Sequence, residues 1–333
     1  MKVKNKIFNI CKAFFLPVVV WLVFSLLTGG RFASWANLMS ILRTSVVPLL
    51  LAMSMSFGML MGIWNFASGA VVYACAIFSA LFARSLGLGL FWVCVFSILI
   101  GIVLSAIMGG LYRLVRVPFL VLSLGLAMVI EALPGMFIAD SSGKIKLADS
   151  FLGTAPWSYI ILLIMFLIFA YINSYTTLGA NVRAIGADIK IADSAGINID
   201  RVKFITFIIS GLFLGVAGIV HLSINVTVTG VVGFASAGMI FNGMMGIFIA
   251  FVLTKYISFN IAVIIGTITI RMLNSGLIAC GFSSEIQGIL TGVFLLIVVT
   301  YSANAGLMDR IKARNLVAEK ANAAYTKIEA SDS

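Results

Sequence analysis

Between Phe204 and Thr254 the chain runs 51 residues without an Asp, Glu, Lys or Arg. A helix of about 20 mostly apolar residues crosses the hydrocarbon of a bilayer, so this run holds two crossings and the turn between them. A soluble domain carries roughly a quarter of its residues as charges. Here only 10% of 333 residues are charged and 62% are hydrophobic. That excludes a water-soluble fold, and it excludes disorder, which needs the opposite composition. The chain reads as all-α, a polytopic bundle of transmembrane helices, because a helix satisfies its own backbone in lipid.

The same count of charge-free runs places ten spans near 8–28, 44–63, 66–83, 88–111, 118–138, 155–174, 204–223, 236–254, 257–279 and 285–302. Eight remain if the shortest pieces, the third and eighth, end inside the membrane, where broken backbone is tolerated only against protein or a cavity. The transmembrane domain is 1–308, and 309–333 is a polar, Ala- and Lys-rich tail. Lys2, Lys4 and Lys6 precede a first apolar run that is too long for a signal peptide and lacks an A-x-A site, so it reads as a retained helix.

Charge placement sets orientation. The net charge is +11, and with the N-terminus inside, 16 of the 22 basic residues fall on the inner side. Arg31, Arg43, Arg84, Lys144 and Lys146 fall outside and Arg271 within a span. The bias puts both termini in the cytoplasm and assigns the basic excess to topology rather than to nucleic acid. Cys11, Cys75, Cys94 and Cys280 make no CxxC or His-containing metal spacing and read as small apolar residues. The Met-rich stretches read as adaptable packing. Gly58-xxx-Gly62, Gly211-xxx-Gly215 and Gly288-xxx-Gly292 have the small-xxx-small spacing of close helix contacts.

Polar residues in apolar sequence mark a pathway by default, because burying them in lipid is costly. Trp64 and Asn65 sit in the break between the second and third spans. A Trp face stacks on the C–H face of a sugar and an Asn amide pairs with hydroxyls; a helix-turn cap with an interfacial Trp explains them equally. Asn225, Thr227 and Thr229 occupy the matching break after the seventh span, or an exposed outer loop. Asn242 and Asn274 face a pore or bond helix to helix. Glu131 and Arg271 are the deepest ionisable residues and either pair or snorkel outward. His221 reads as a packing or rim residue. No Ser/His/Asp cluster is credible as catalytic, so no enzyme is indicated. No G-x-x-x-x-G-K-[ST] loop occurs, so the chain alone does not hydrolyse ATP.

The longest inner segment, 176–203, mixes Gly, small residues and both charge signs. Asp188 to Ser194 is expected to form a short helix stopped by Gly196, either a docking element or an ordinary connection. Gly179, Ala184-x-Gly186, Ala192, Ala195-Gly196-Ile197-Asn198, Lys203, Ser210-Gly211 and Ala217-Gly218-Ile219 resemble the signature region of the ribose-type permeases of ABC transporters. That family also serves other monosaccharides and autoinducer-2. Trp35-Ala36-Asn37-Leu38, Ile41-Leu42-Arg43, Gly62 to Gly69, Val117-Pro118-Phe119 and Leu124-Gly125 extend the likeness over about residues 30 to 305.

The resemblance implies a coupling helix in this loop, carried by Arg183, Ala184, Gly186, Asp188, Ala192, Ala195, Gly196 and Ile197. It implies a separate cytoplasmic ATPase that holds the ATP and magnesium, with no cofactor on this chain. It further implies an extracytoplasmic solute-binding protein, a second permease copy in a homo- or heterodimer, and a bacterial inner membrane. The cargo would be a monosaccharide or a similar small polar solute. Four departures stand out: Asn65 replaces the family's Asp, Asp188 and Lys190 or Ile191 replace an Asn and an Ala, Phe241 to Gly246 replaces a Gly-Gly-Thr-Ser run, and Glu131 stands where relatives often carry Arg. They fit an unusual cargo or one half of a heterodimer. The competing class, a self-sufficient secondary transporter or channel, accounts for the spans but leaves the 176–203 segment unexplained.

Overall fold

The computed structural model describes residues 2–115, 117–137, 142–283 and 286–300, with side chains from residue 12 onward. Helices follow the charge-free runs: α1 (Lys2–Leu27), α2 (Trp35–Leu60), α3 (Ser68–Ser85), α4 (Leu90–Leu114), α5 (Phe119–Phe137) and α6 (Trp157–Tyr175). After the short helices α7 (Thr177–Ala187) and α8 (Ile189–Ser194) come α9 (Ile199–Asn225), α10 (Ala237–Leu253) and α11 (Phe259–Ala279). These lie in one compact unit that ends at Phe282. A separate unit begins at Ser283, and its described part is α12 (Ile286–Thr300). The tail 309–333 lies outside the described residues.

Seven of the helices are long and apolar enough to cross a membrane, namely α2, α3, α4, α5, α6, α9 and α11. Lys12–Leu27 within α1, α10 and α12 are shorter apolar helices. A helix thus lies over each of the ten charge-free stretches, seven of them long and apolar enough to cross, and one start is displaced. Helix α2 begins nine residues early, because Ser34 caps it: its hydroxyl accepts from the Asn37 N–H at 3.3 Å. Arg43, which interrupted the charge-free run, is accommodated inside this helix by donating to the Gly153 carbonyl at 3.0 Å. The chain also carries a small strand pair, β1 (Ser142–Lys144) antiparallel to β2 (Thr227–Thr229), with Gly143 opposite Val228.

Helix α9 forms the centre, packed against α2, α3 and α4. Its contact with α4 is nearly backbone on backbone: a Cβ added at Gly211 would collide with the Gly101 carbonyl oxygen and lie 2.8 Å from the Ile102 Cα. The Ser97 hydroxyl crosses the same seam to the Gly215 carbonyl at 2.7 Å. Small residues let helices approach closely where lipid supplies no hydrophobic drive. Phe57, Phe169 and Phe213 fill the space where α2, α6 and α9 meet, with ring centroids 5.2–6.4 Å apart.

The Gly58-xxx-Gly62 pair does something else. Gly62 takes φ +75° just past α2. The Ile63 N–H donates to the Gly58 carbonyl at 2.9 Å, and the Gly62 N–H donates to the Met59 carbonyl at 3.1 Å. This is a Schellman stop, so the spacing terminates a helix here rather than joining two. Around Gly288 and Gly292 nothing lies within 4 Å of an added Cβ.

Candidate functional site

Two breaks interrupt the apolar helices, and α5 fastens both. The first follows the Schellman stop of α2. Asn65 folds back on the chain: its Oδ1 accepts from the Ala67 N–H at 3.0 Å, and the Ser68 hydroxyl donates to the Asn65 carbonyl at 3.0 Å. The Phe66 N–H donates to the Ser123 hydroxyl on α5 at 3.2 Å. Successive residues of this extended break point apart. Trp64 is 37% exposed and packs on Phe248, with centroids 5.5 Å apart. Asn65 is 6% exposed and lines a small cavity with Ser54, Lys203, Thr206 and Ser210. Its Nδ2 has no partner among the described protein atoms. Trp64 and Asn65 therefore do not share one surface.

The second break lies between β2 and α10. Glu131 of α5, 2% exposed, reaches across to it. One carboxylate oxygen accepts from the Phe234 N–H at 2.7 Å and the other from the Ser236 N–H at 2.9 Å. Arg271 is elsewhere, donating from Nε to the Thr44 hydroxyl at 3.1 Å; the two deep charges each have another partner. The breaks meet one another: the Phe66 ring is 6.3 Å from Phe234 and 6.2 Å from Phe241. A Cβ on Gly69 would lie 2.7 Å from the Ser236 carbonyl oxygen.

The remaining pathway candidates are dispersed. Asn225 ends α9 and donates to the His221 carbonyl at 2.8 Å, so it caps its own helix. The His221 ring packs edge-on against Tyr73. Asn274 donates to Asn242 Oδ1 at 2.8 Å, joining α11 to α10. Such intramembrane bonds contribute about 0.6 kcal/mol on average. Asn242→Leu should therefore lower the melting temperature by only about 1–2 °C. A loss of uptake out of proportion to that shift would put Asn242 on the cargo path. Ser123, Phe234 and Ser236 escaped the sequence reading. Ser123 and Glu131 lie about two helical turns apart on α5; Glu131 stood out in the sequence as a deep charge, but the break groups that the two residues hold are more than 50 residues away, so their shared role has no local signal.

The 176–203 segment is mostly helical. Thr176 caps α7 by accepting from the Gly179 N–H, and Arg183 donates to the Asn173 carbonyl at the end of α6. Asp188 starts α8 as expected, its Oδ1 accepting from Lys190 N–H at 2.7 Å and Ile191 N–H at 3.1 Å. After Ala195, Gly196 stops α8 at φ +80°. The inner sides are anchored: Ala192, Val182 and Ile185 are buried with Met61, Ile63, Phe119 and Phe207, and Ala184 and Ile197 pack against them. Gly186 touches the last turn of α2, where an added Cβ would collide with the Leu60 carbonyl oxygen. The outer side of α8 presents Ile189 and Ile191 to solvent. Helix α7 was not anticipated; its polar, Gly-bearing sequence hides a Thr cap.

Comparison with known sequences places these features. A family described as "Branched-chain amino acid transport system / permease component" matches residues 37–299. The probable ABC transporter permease protein YphD of Escherichia coli K12 is 28% identical over 309 residues, 88% of each chain. The autoinducer 2 import system permease protein LsrC of Photorhabdus luminescens is 24% identical over 298 residues, 85% of this chain and 87% of its own. The ribose import permease protein RbsC of Haemophilus influenzae is 24% identical over 216 residues, 62% of this chain and 67% of its own.

Proposed function

Because the chain belongs to the ribose-type permease family of ABC transporters, we propose that it is one membrane subunit of a dimeric importer for a monosaccharide or similar small polar solute. In this reading ten helices cross the bacterial inner membrane and both termini are cytoplasmic. A binding protein delivers the cargo outside, and a separate ATPase docks on α7–α8 inside. One observation supports the coupling best: Gly186 of α7 lies against Leu60, the residue from which the first break begins. Displacing α7–α8 as a rigid piece therefore displaces the break. A self-driven transporter is less well supported, since Glu131 and Arg271 already have partners inside the fold.

The exposed face of α8 gives the test. Ile191 is 69% exposed, so Ile191→Glu should leave the melting temperature unchanged. A charge in a desolvated interface costs what a hot-spot loss costs, about 2 kcal/mol or more, so ATPase co-purification should fall at least about tenfold and uptake with it. Wild-type uptake by this variant, or cargo uptake into proteoliposomes by the purified chain alone, would reject the reading.

A further inference from the structure

The second break is held in a conformation that its own sequence disfavours. Phe234 sits at φ +65°, where the Cβ of an L-residue crowds its carbonyl oxygen, although its ring does pack on Phe66. What stabilises it lies on another helix. The two oxygens of Glu131 take the N–H groups of Phe234 and Ser236. Gly233 and Phe234 both take positive φ, +72° and +65°, and Ser236 is right-handed; a change of hand of this kind turns N–H groups inward as an anion cradle. The cradle opens directly into α10, whose N-terminus also favours a negative charge. Glu131 is 2% exposed, and each of its oxygens already holds a main-chain donor. It lacks the exposure that a cargo contact needs.

We propose that Glu131 is a positioning residue: it holds Phe234 in the left-handed conformation and so fixes where α10 begins. Loss of its carboxylate frees residues 233–236 to relax toward ordinary backbone angles. The carbonyl of Ser236, against which Gly69 of α3 is seated, then moves, and Phe234 leaves Phe66. Through Ser123 and Glu131 the same helix grips both breaks, so a movement of α5 reaches them together. The sequence departure at Glu131 thus concerns how the break is fastened.

Ser236 provides a reporter, because it is fully buried. In a background with the four native cysteines replaced by alanine, Ser236→Cys should react slowly with a water-soluble maleimide. Adding Glu131→Ala should open the loop and raise the labelling rate at least about tenfold. Adding Phe234→Gly to that protein should restore protection, because glycine adopts this φ without steric cost and needs no clamp to stay there. Should Glu131→Ala fail to fold, Glu131→Gln answers the same question: its amide keeps one acceptor, so labelling should rise less and Phe234→Gly should again reverse it. Continued protection of the introduced thiol in both Glu131 variants would overturn the proposal. So would labelling that Phe234→Gly leaves high, which would mean that the carboxylate does not act through the backbone of residue 234.

Discussion

Gly186→Ala should abolish uptake while the protein still inserts in the membrane and still binds its ATPase. The new methyl carbon would fall far inside the separation at which it could rest against the Leu60 carbonyl oxygen, and 3.0 Å from the Leu60 carbonyl carbon. The obstacle is backbone, which no rotamer change avoids, so α7 must shift relative to α2. Overpacking of this kind costs about 1–3 kcal/mol, a fall in melting temperature on the order of 5 °C. The shift leaves the exposed face of α8 intact, so docking should survive while motion no longer reaches the first break. ATP hydrolysis without uptake is the expected signature. Gly196→Ala is the informative companion. Nothing lies within 4 Å of its added Cβ, but its φ is +80°, so the cost is the intrinsic one of about 1–2 kcal/mol, confined to the end of α8. Membrane fractionation, ATPase assay and uptake on the same preparations separate the cases. Wild-type uptake by Gly186→Ala would dissolve the proposed link between loop and break.

The spans were legible because lipid imposes a single local rule, a long uncharged stretch. The rule misplaced the start of α2 because Arg43 broke the run while its charge was absorbed by a carbonyl 110 residues away, information no window contains. The short helix α8 could be read from Asp188 and Gly196, since both of its caps are local. Helix α7 could not: its inward side is stabilised by Met61, Phe119 and Phe207 from three other segments. The breaks were legible as polar interruptions, yet which of their residues face each other was not. Adjacent residues such as Trp64 and Asn65 diverge by backbone alternation. Glu131 looked like a cargo or ion-pair residue because a buried carboxylate must have a partner, and sequence shows only charged candidates. Its actual partners are backbone amides, which every residue but proline has and no sequence motif displays.

Gly211→Leu should damage the fold itself, more than any change at the breaks. Gly101 and Gly211 approach so closely that a Cβ on Gly211 meets the Gly101 carbonyl oxygen head-on, with the Ile102 Cα only 2.8 Å away. Four added carbons cannot be placed without separating α4 from α9. Separation breaks the Ser97 bond to Gly215 and loosens the surface on which α2 and α3 also rest. Dispersion is short-ranged, so a gap of about 0.5–1 Å already forfeits roughly a quarter to a half of each contact. In lipid no hydrophobic drive pulls the separated helices back together. The loss should exceed about 3 kcal/mol, beyond ordinary single substitutions, and the variant should aggregate or melt on the order of 10 °C lower in detergent. Gly110→Leu on α4 is the matched control: nothing lies within 4 Å of its Cβ, so its side chain starts into open space and the variant should melt near wild type. Equal melting of the two variants would mean that the α4–α9 seam is not what holds the bundle. A large fall for Gly211→Leu alone would place much of the stability of this permease in the backbone contacts of the α4–α9 seam.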